Sequence, residues 1–273
     1  MIDLLETGNS YWLEPATRSL EEAAFALGRL DASAALAPTG VAELLVLRCV
    51  SQAFGARREG MIALLRPESE GTTSLHRFLE RLRETVPRDT SPTIPAIVSA
   101  AVAARESMAK HENDPDAVAA ASLAASRALR AGGVIAGPWL SFPLGTGSPL
   151  SLRSGEPAHD SASWLVGAVE SLSREARAAE RGLGAARHRV AADTQRVRDS
   201  LGRAAYSALS VLEQLGERLV LNVPDVARTL GLTPPTANAA IARLEAMGIA
   251  REITGRERSR LFVYAALVDA LAP

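Results

Sequence analysis

The chain has 273 residues, a formal net charge of −1 and 47% hydrophobic residues, enough to bury one large core or two modest ones. With no strong overall field, a surface for nucleic acid or membrane has to be local. The single cysteine, Cys49, excludes an internal disulfide and a cysteine-ligated zinc cluster, and no apolar run approaches the ~18 residues of a membrane helix. Aromatic residues make up 4% while alanine is abundant, which favours helix because alanine loses least on entering one. The opening MIDLLETGNSYWLEP lacks the basic start and apolar core of a signal peptide. The expectation is a soluble, cytoplasmic, mainly α protein.

Helical periodicity begins near Pro15, with Leu20, Ala24, Leu27 and Leu30 at three- and four-residue steps. After Gly40, VAELLVLRCVSQAFGARREGMIALL is apolar on most sides and predicts a central helix. A third helix is predicted over 76–85, and two Ala-rich ones over 96–110 and 115–131, the last closing at Gly132 and Gly133. Glycine, proline and serine crowd residues 141–163, and no apolar period survives there. So long a loop reads as a domain boundary, with a functional flap as the alternative. Residues 164–200 then predict a helical connector, broken in two at Gly182 and Gly184. Leu183, Val190 and Val197 repeat at seven residues; the core face of a packed helix accounts for them, and a dimer seam would use the same face.

The C-terminal residues 201–273 are the most informative. In TPPTANAAIARLEAMGI, Thr233 suits an N-cap, Pro234 and Pro235 suit the first helical positions, where no N–H is needed, and Gly248 suits a left-handed stop. Ala237, Ala240, Ile241 and Leu244 form the inner stripe, leaving Thr236, Asn238 and Arg243 outside. Upstream, VPDVARTLGL gives a shorter helix with Val226, Ala227 and Leu230 inward, and 206–215 a supporting one. Two short helices joined through Gly231 make a helix-turn-helix. Downstream, IAREIT and LFVYAAL have strand composition and bracket GRERSR, the basic tip of a wing. In an extended strand Arg256, Arg258 and Arg260 would share one side, where guanidinium groups can meet phosphates. The predicted fold is therefore mainly α: a helical N-terminal domain, residues 1–140, and a winged helix-turn-helix with a two- or three-stranded sheet. DNA-contact candidates are Thr233, Thr236, Asn238, Arg243, Arg256, Arg258 and Arg260. From Leu201 onward eight basic residues face seven acidic ones, less basic than DNA modules usually are, so the clustering at the wing carries the reading.

The run LNVPDVARTLGLTPPTANAAIARLEAMGIAREITGRERSRLFVY resembles the winged helix that closes many Fic-family proteins; similar modules end several uncharacterised alphaproteobacterial families. FALGRLDASAALAP resembles the start of Fic proteins, and CVSQAFGARREGM stands where they carry an inhibitory helix, with Gly55 in place of serine or threonine and Glu59-Gly60 kept. The resemblance implies a nucleotidyl transferase only where HPFx[DE]GNGRxxR is present. Here the four histidines, His76, His111, His159 and His188, stand in LHRF, KHEN, AHDS and RHRV. Without base, metal ligand and phosphate cradle such chemistry has no machinery.

Other chemistry is poorly supplied. His159-Asp160 lies in the Ser/Gly/Pro loop, where such a pair is solvated. Cys49 on its apolar helix reads as a buried small hydrophobe, and LGTGSP lacks the strand and helix of a phosphate loop, so neither cofactor nor metal is expected. Trp139 and Phe142 either plug the core or line a pocket. Three functions stay open: a DNA-binding transcriptional regulator acting as a homodimer on two half-sites, a diverged transferase, and a protein-binding adaptor. The first has the most residues behind it.

Overall fold

The computed structural model describes residues 10–54, 57–66, 73–87, 93–110, 117–139 and 161–272. The chain is mainly helical, with one small antiparallel sheet near its C-terminal end. In order come α1 (Ser10–Ala35), α2 (Thr39–Ala53), α3 (Arg57–Leu64), α4 (Thr73–Arg83), α5 (Thr93–Lys110), α6 (Ala117–Ala131) and α7 (Ser161–Leu201). A 3₁₀ turn (Gly202–Ala204) leads to α8 (Ala205–Arg218), β1 (Val220–Leu221), α9 (Val223–Leu230), α10 (Pro234–Ala246), β2 (Ala250–Glu252), β3 (Phe262–Tyr264) and α11 (Ala265–Leu271). Among the described residues no helix is long and apolar enough to cross a membrane.

The helical region is built on α1 and α7. Arg177 reaches Glu22 at 3.1 Å, Arg29 reaches Glu180 at 2.5 Å, and Arg187 donates to the Ser33 carbonyl at 2.6 Å. The partners climb both helices together, so the two run parallel. Leu27 and Leu30 of α1 and Leu172, Ala176, Ala179, Leu183 and Ala186 of α7 are buried. Helices α5 and α6 approach closely because alanines line both: Ala96, Ala100, Ala101 and Ala104 on one, Ala119, Ala121 and Ala125 on the other. Residues 41–65 hold two helices rather than the one predicted, the first ending at Ala53 and the second beginning at Arg57. Trp139 is a plug: its indole N–H donates to Asp31 at 2.7 Å and its ring packs on the core. Phe142 lies outside the described residues, as do His111, His159 and most of the proposed 141–163 linker.

Two expectations for the connector need correction. It is one 41-residue helix, not two. A side chain at Gly182 would meet Leu271 Cδ2 at 3.0 Å and the Ala270 carbonyl at 3.2 Å, so this glycine lets α11 lie against α7. A glycine costs an exposed helix about 1 kcal/mol, which the burial around it outweighs. Leu183 and Val197 are fully buried within the chain, and Val190 packs partly against the same core. The seven-residue spacing therefore marks a core face, which leaves no dimer seam there.

The C-terminal module shares its core with the helical region, since buried residues of both belong to one continuous cluster. Gly40 at the start of α2 sits against the backbone of α8, and the Thr39 N–H donates to Glu217 at 3.3 Å. Between α7 and β3, the Tyr264 hydroxyl donates to the buried Asp193 carboxylate at 2.9 Å. Arg189 and Arg196 flank the same carboxylate at 3.2 and 3.3 Å, and Arg196 also donates to the Met247 carbonyl at 2.7 Å. The long helix thus grips the end of α10 and the central strand of the sheet.

Candidate nucleic-acid interface

Helix α9 begins with Asn222, whose Oδ1 accepts from the Asp225 N–H at 2.7 Å, and Pro224 occupies its first turn. Val226 and Ala227 are buried and Leu230 is partly so. Gly231, at φ 62°, then turns the chain left-handed into α10, a conformation that costs glycine little. Thr233 is the N-cap of α10: its Oγ1 accepts from the Thr236 N–H at 3.4 Å. The two threonine hydroxyls lie 2.8 Å apart, so the cap and Thr236 hold each other. Ala237, Ala240, Ile241 and Leu244 are all buried, and Gly248 ends the helix at φ 70°.

The outer surface of α10 divides into three lines. At about 100° per residue, Pro235, Ala239 and Ala242 form a central ridge of small side chains. Asn238 falls on one flank, while Thr236 and Arg243, two turns apart, fall on the other. Asn238 and Thr236 are exposed and Arg243 is half-buried. The three polar side chains do not form one patch.

The sheet has the order β1-β3-β2, antiparallel throughout, with Val220 opposite Val263 and Glu252 opposite Phe262. Strand β1 makes the sheet three-stranded, within the two or three strands expected, though its position was not predicted; residues 265–267 enter α11 instead of prolonging the strand. The tip between β2 and β3 is secured from within. Glu252 accepts from the Thr254 and Gly255 N–H groups at 2.7 and 2.8 Å, and from the Thr254 hydroxyl. Partial burial raises the Glu252 carboxyl, but these hydrogen bonds and the Arg260 charge outweigh it and hold the group below the usual carboxylate range.

The wing arginines do not alternate along a strand. No strand covers residues 255–261, and Ser259 stands at φ 53°, which turns the chain before Arg260. Arg256 and Arg258 are exposed and make no ion pair or hydrogen bond among the described residues. Arg260 instead turns back: its Cζ lies 5.0 Å from the centroid of the buried Phe262 ring, and its Nη2 donates to Asn238 Oδ1 at 3.4 Å. The fold thus brings Arg260 onto the Asn238 flank of α10 and leaves the other two arginines at the tip. The i, i+2 spacing of Arg260 and Phe262 at a strand entry was a signal for the stacking. Nothing local pointed to Asn238, which is separated from Arg260 by most of the wing.

Elsewhere chemistry is sparse. Cys49 is buried and unbridged, and burial pushes its thiol far above the usual range, with the Arg48 charge opposing only in part. His188 is exposed on α7. Among the described residues no three His, Cys, Asp or Glu side chains gather as a metal site would require. In comparisons with known proteins, the chain matches no family model and no curated protein.

Proposed function

We propose that this protein is a DNA-binding transcriptional regulator that sets α10 into the major groove of double-stranded DNA and lays the wing tip along the phosphate backbone. The observation that carries the reading is a helix-turn-helix whose second helix presents a ridge of small side chains flanked by Asn238, Thr236 and Arg243, beside two unpaired arginines, Arg256 and Arg258. Small residues let a helix approach base edges, polar flanks can donate to them, and tip arginines supply phosphate contacts. A near-neutral module makes few such contacts, so two copies on paired half-sites are part of this reading, joined through a surface other than the buried face of α7. The helical region takes no catalytic step in it; it carries the module, as an inactive Fic-like body would.

Affinity for duplex DNA measured against salt concentration tests the reading. The wild type should bind with a clear negative slope of log affinity on log salt. Replacing Arg256 and Arg258 with alanine should flatten that slope by about 1.8, since each phosphate contact contributes about 0.9. Feeble binding by the wild type with no salt dependence would place this module among protein-docking surfaces.

A further inference from the structure

Asparagine reads adenine by using both ends of its amide: Oδ1 accepts from the N6 amino group while Nδ2 donates to N7. Here Oδ1 of Asn238 is already engaged by Arg260 Nη2 at 3.4 Å. We propose that Arg260 is a positioning residue that turns Asn238 into a reader of guanine rather than adenine. This inference rests on the DNA-binding reading above.

The geometry supports it at three points. The guanidinium is held against Phe262, 5.0 Å from its ring centroid, and Phe262 is fully buried in the central strand, so the stacking platform is rigid. The left-handed Ser259, at φ 53°, directs the chain back toward α10 just before Arg260. Asn238 itself lies off the buried stripe, beside the Pro235, Ala239 and Ala242 ridge, where a base edge would arrive. With the amide oxygen turned to the wing and one of its lone pairs taken by Arg260, the groups this pair leaves free are mainly donors: Nδ2 of Asn238 and the remaining N–H groups of Arg260. Guanine shows two acceptors, N7 and O6, on its major-groove edge. Adenine would bring its N6 amino group to an amide oxygen already shared with the Arg260 guanidinium, a weaker match than guanine's two acceptors. The arrangement also divides labour in the wing, with Arg256 and Arg258 left for phosphates.

Selection of bound duplexes from a random library, using the full chain, tests the proposal. The wild-type site should contain a guanine whose replacement by adenine weakens binding at least about tenfold, within the range for one good base contact. Arg260→Ala frees Oδ1, and the preference at that position should move to adenine. Arg260→Lys keeps the charge but loses the planar stack, and should shift the preference while preserving the salt slope. Asn238→Ala should erase discrimination at that position without creating a preference for adenine. Thermal melting of each variant establishes that it is folded. An Arg260→Ala protein that keeps the guanine and binds every sequence more weakly would make Arg260 a plain phosphate contact and overturn the proposal. So would a wild-type preference for adenine. A wild type that selects no sequence overturns this inference together with its specific DNA target, whereas specific binding without the guanine overturns the inference alone.

Discussion

Replacing Asp193 with alanine should lower stability by about 1–4 kcal/mol. The Tyr264 hydroxyl, buried at 2.9 Å from this carboxylate, would lose its partner, and an orphaned buried hydroxyl costs about 1–3 kcal/mol. The Arg189 and Arg196 side chains are 48% and 42% exposed, so water replaces most of what they lose and their share is about 0–1 kcal/mol. Converted at about 2–4 °C per kcal/mol, the midpoint should fall by roughly 2–16 °C. Tyr264→Phe should cost less, because the carboxylate keeps both arginines. The double variant should cost less than the sum of the two by about 1 kcal/mol, the signature of a direct contact. Differential scanning calorimetry and urea titration read all three. A midpoint for Asp193→Ala within a degree of wild type, or strict additivity, would refute the reasoning. A separate early transition for residues 201–273 would show that the module does not depend on the shared core.

Gly40→Ala would push a methyl to 2.4 Å from the Gly216 carbonyl oxygen, a backbone atom that cannot rotate away, so a loss of about 1–3 kcal/mol is expected by denaturant titration. Gly184→Ala meets nothing within 4 Å and should be neutral or slightly stabilising, which makes it the matched control. Because burial raises the Cys49 thiol, the native state holds a proton that the unfolded chain releases above about pH 8.5. Stability should therefore fall as pH rises past that point, and Cys49→Ala should flatten the profile in urea titrations at pH 7 to 10. Asn238→Ala and Arg243→Ala should each alter preference at a different base position, since they flank opposite sides of α10, with melting unchanged to about 0.5 kcal/mol; loss at a single shared position would contradict the flank assignment.

The ends of α9 and α10 were legible in the sequence because capping is decided within a turn. Thr233, the two prolines, Gly231 and Gly248 stand where predicted, and the inward stripe of Ala237, Ala240, Ile241 and Leu244 is buried as its period required. Asn222 carried the same kind of signal ahead of Pro224 and could have been read from it. The mainly α character followed from alanine and from the scarcity of β-branched runs for similar local reasons.

Contacts between distant segments were not legible. Gly182 reads as a helix breaker until α11, some ninety residues later, comes to lie against it. The seven-residue repeat of α7 shows that Leu183 and Val197 must be covered, but only the tertiary structure decides that this chain covers them itself. The wing arginines look alike in GRERSR, yet one residue at positive φ and a buried ring beneath separate Arg260 from the other two. A periodic pattern specifies which face must leave water. Which partner receives that face, and where a cation then comes to rest, depends on pairings made only when the whole core closes.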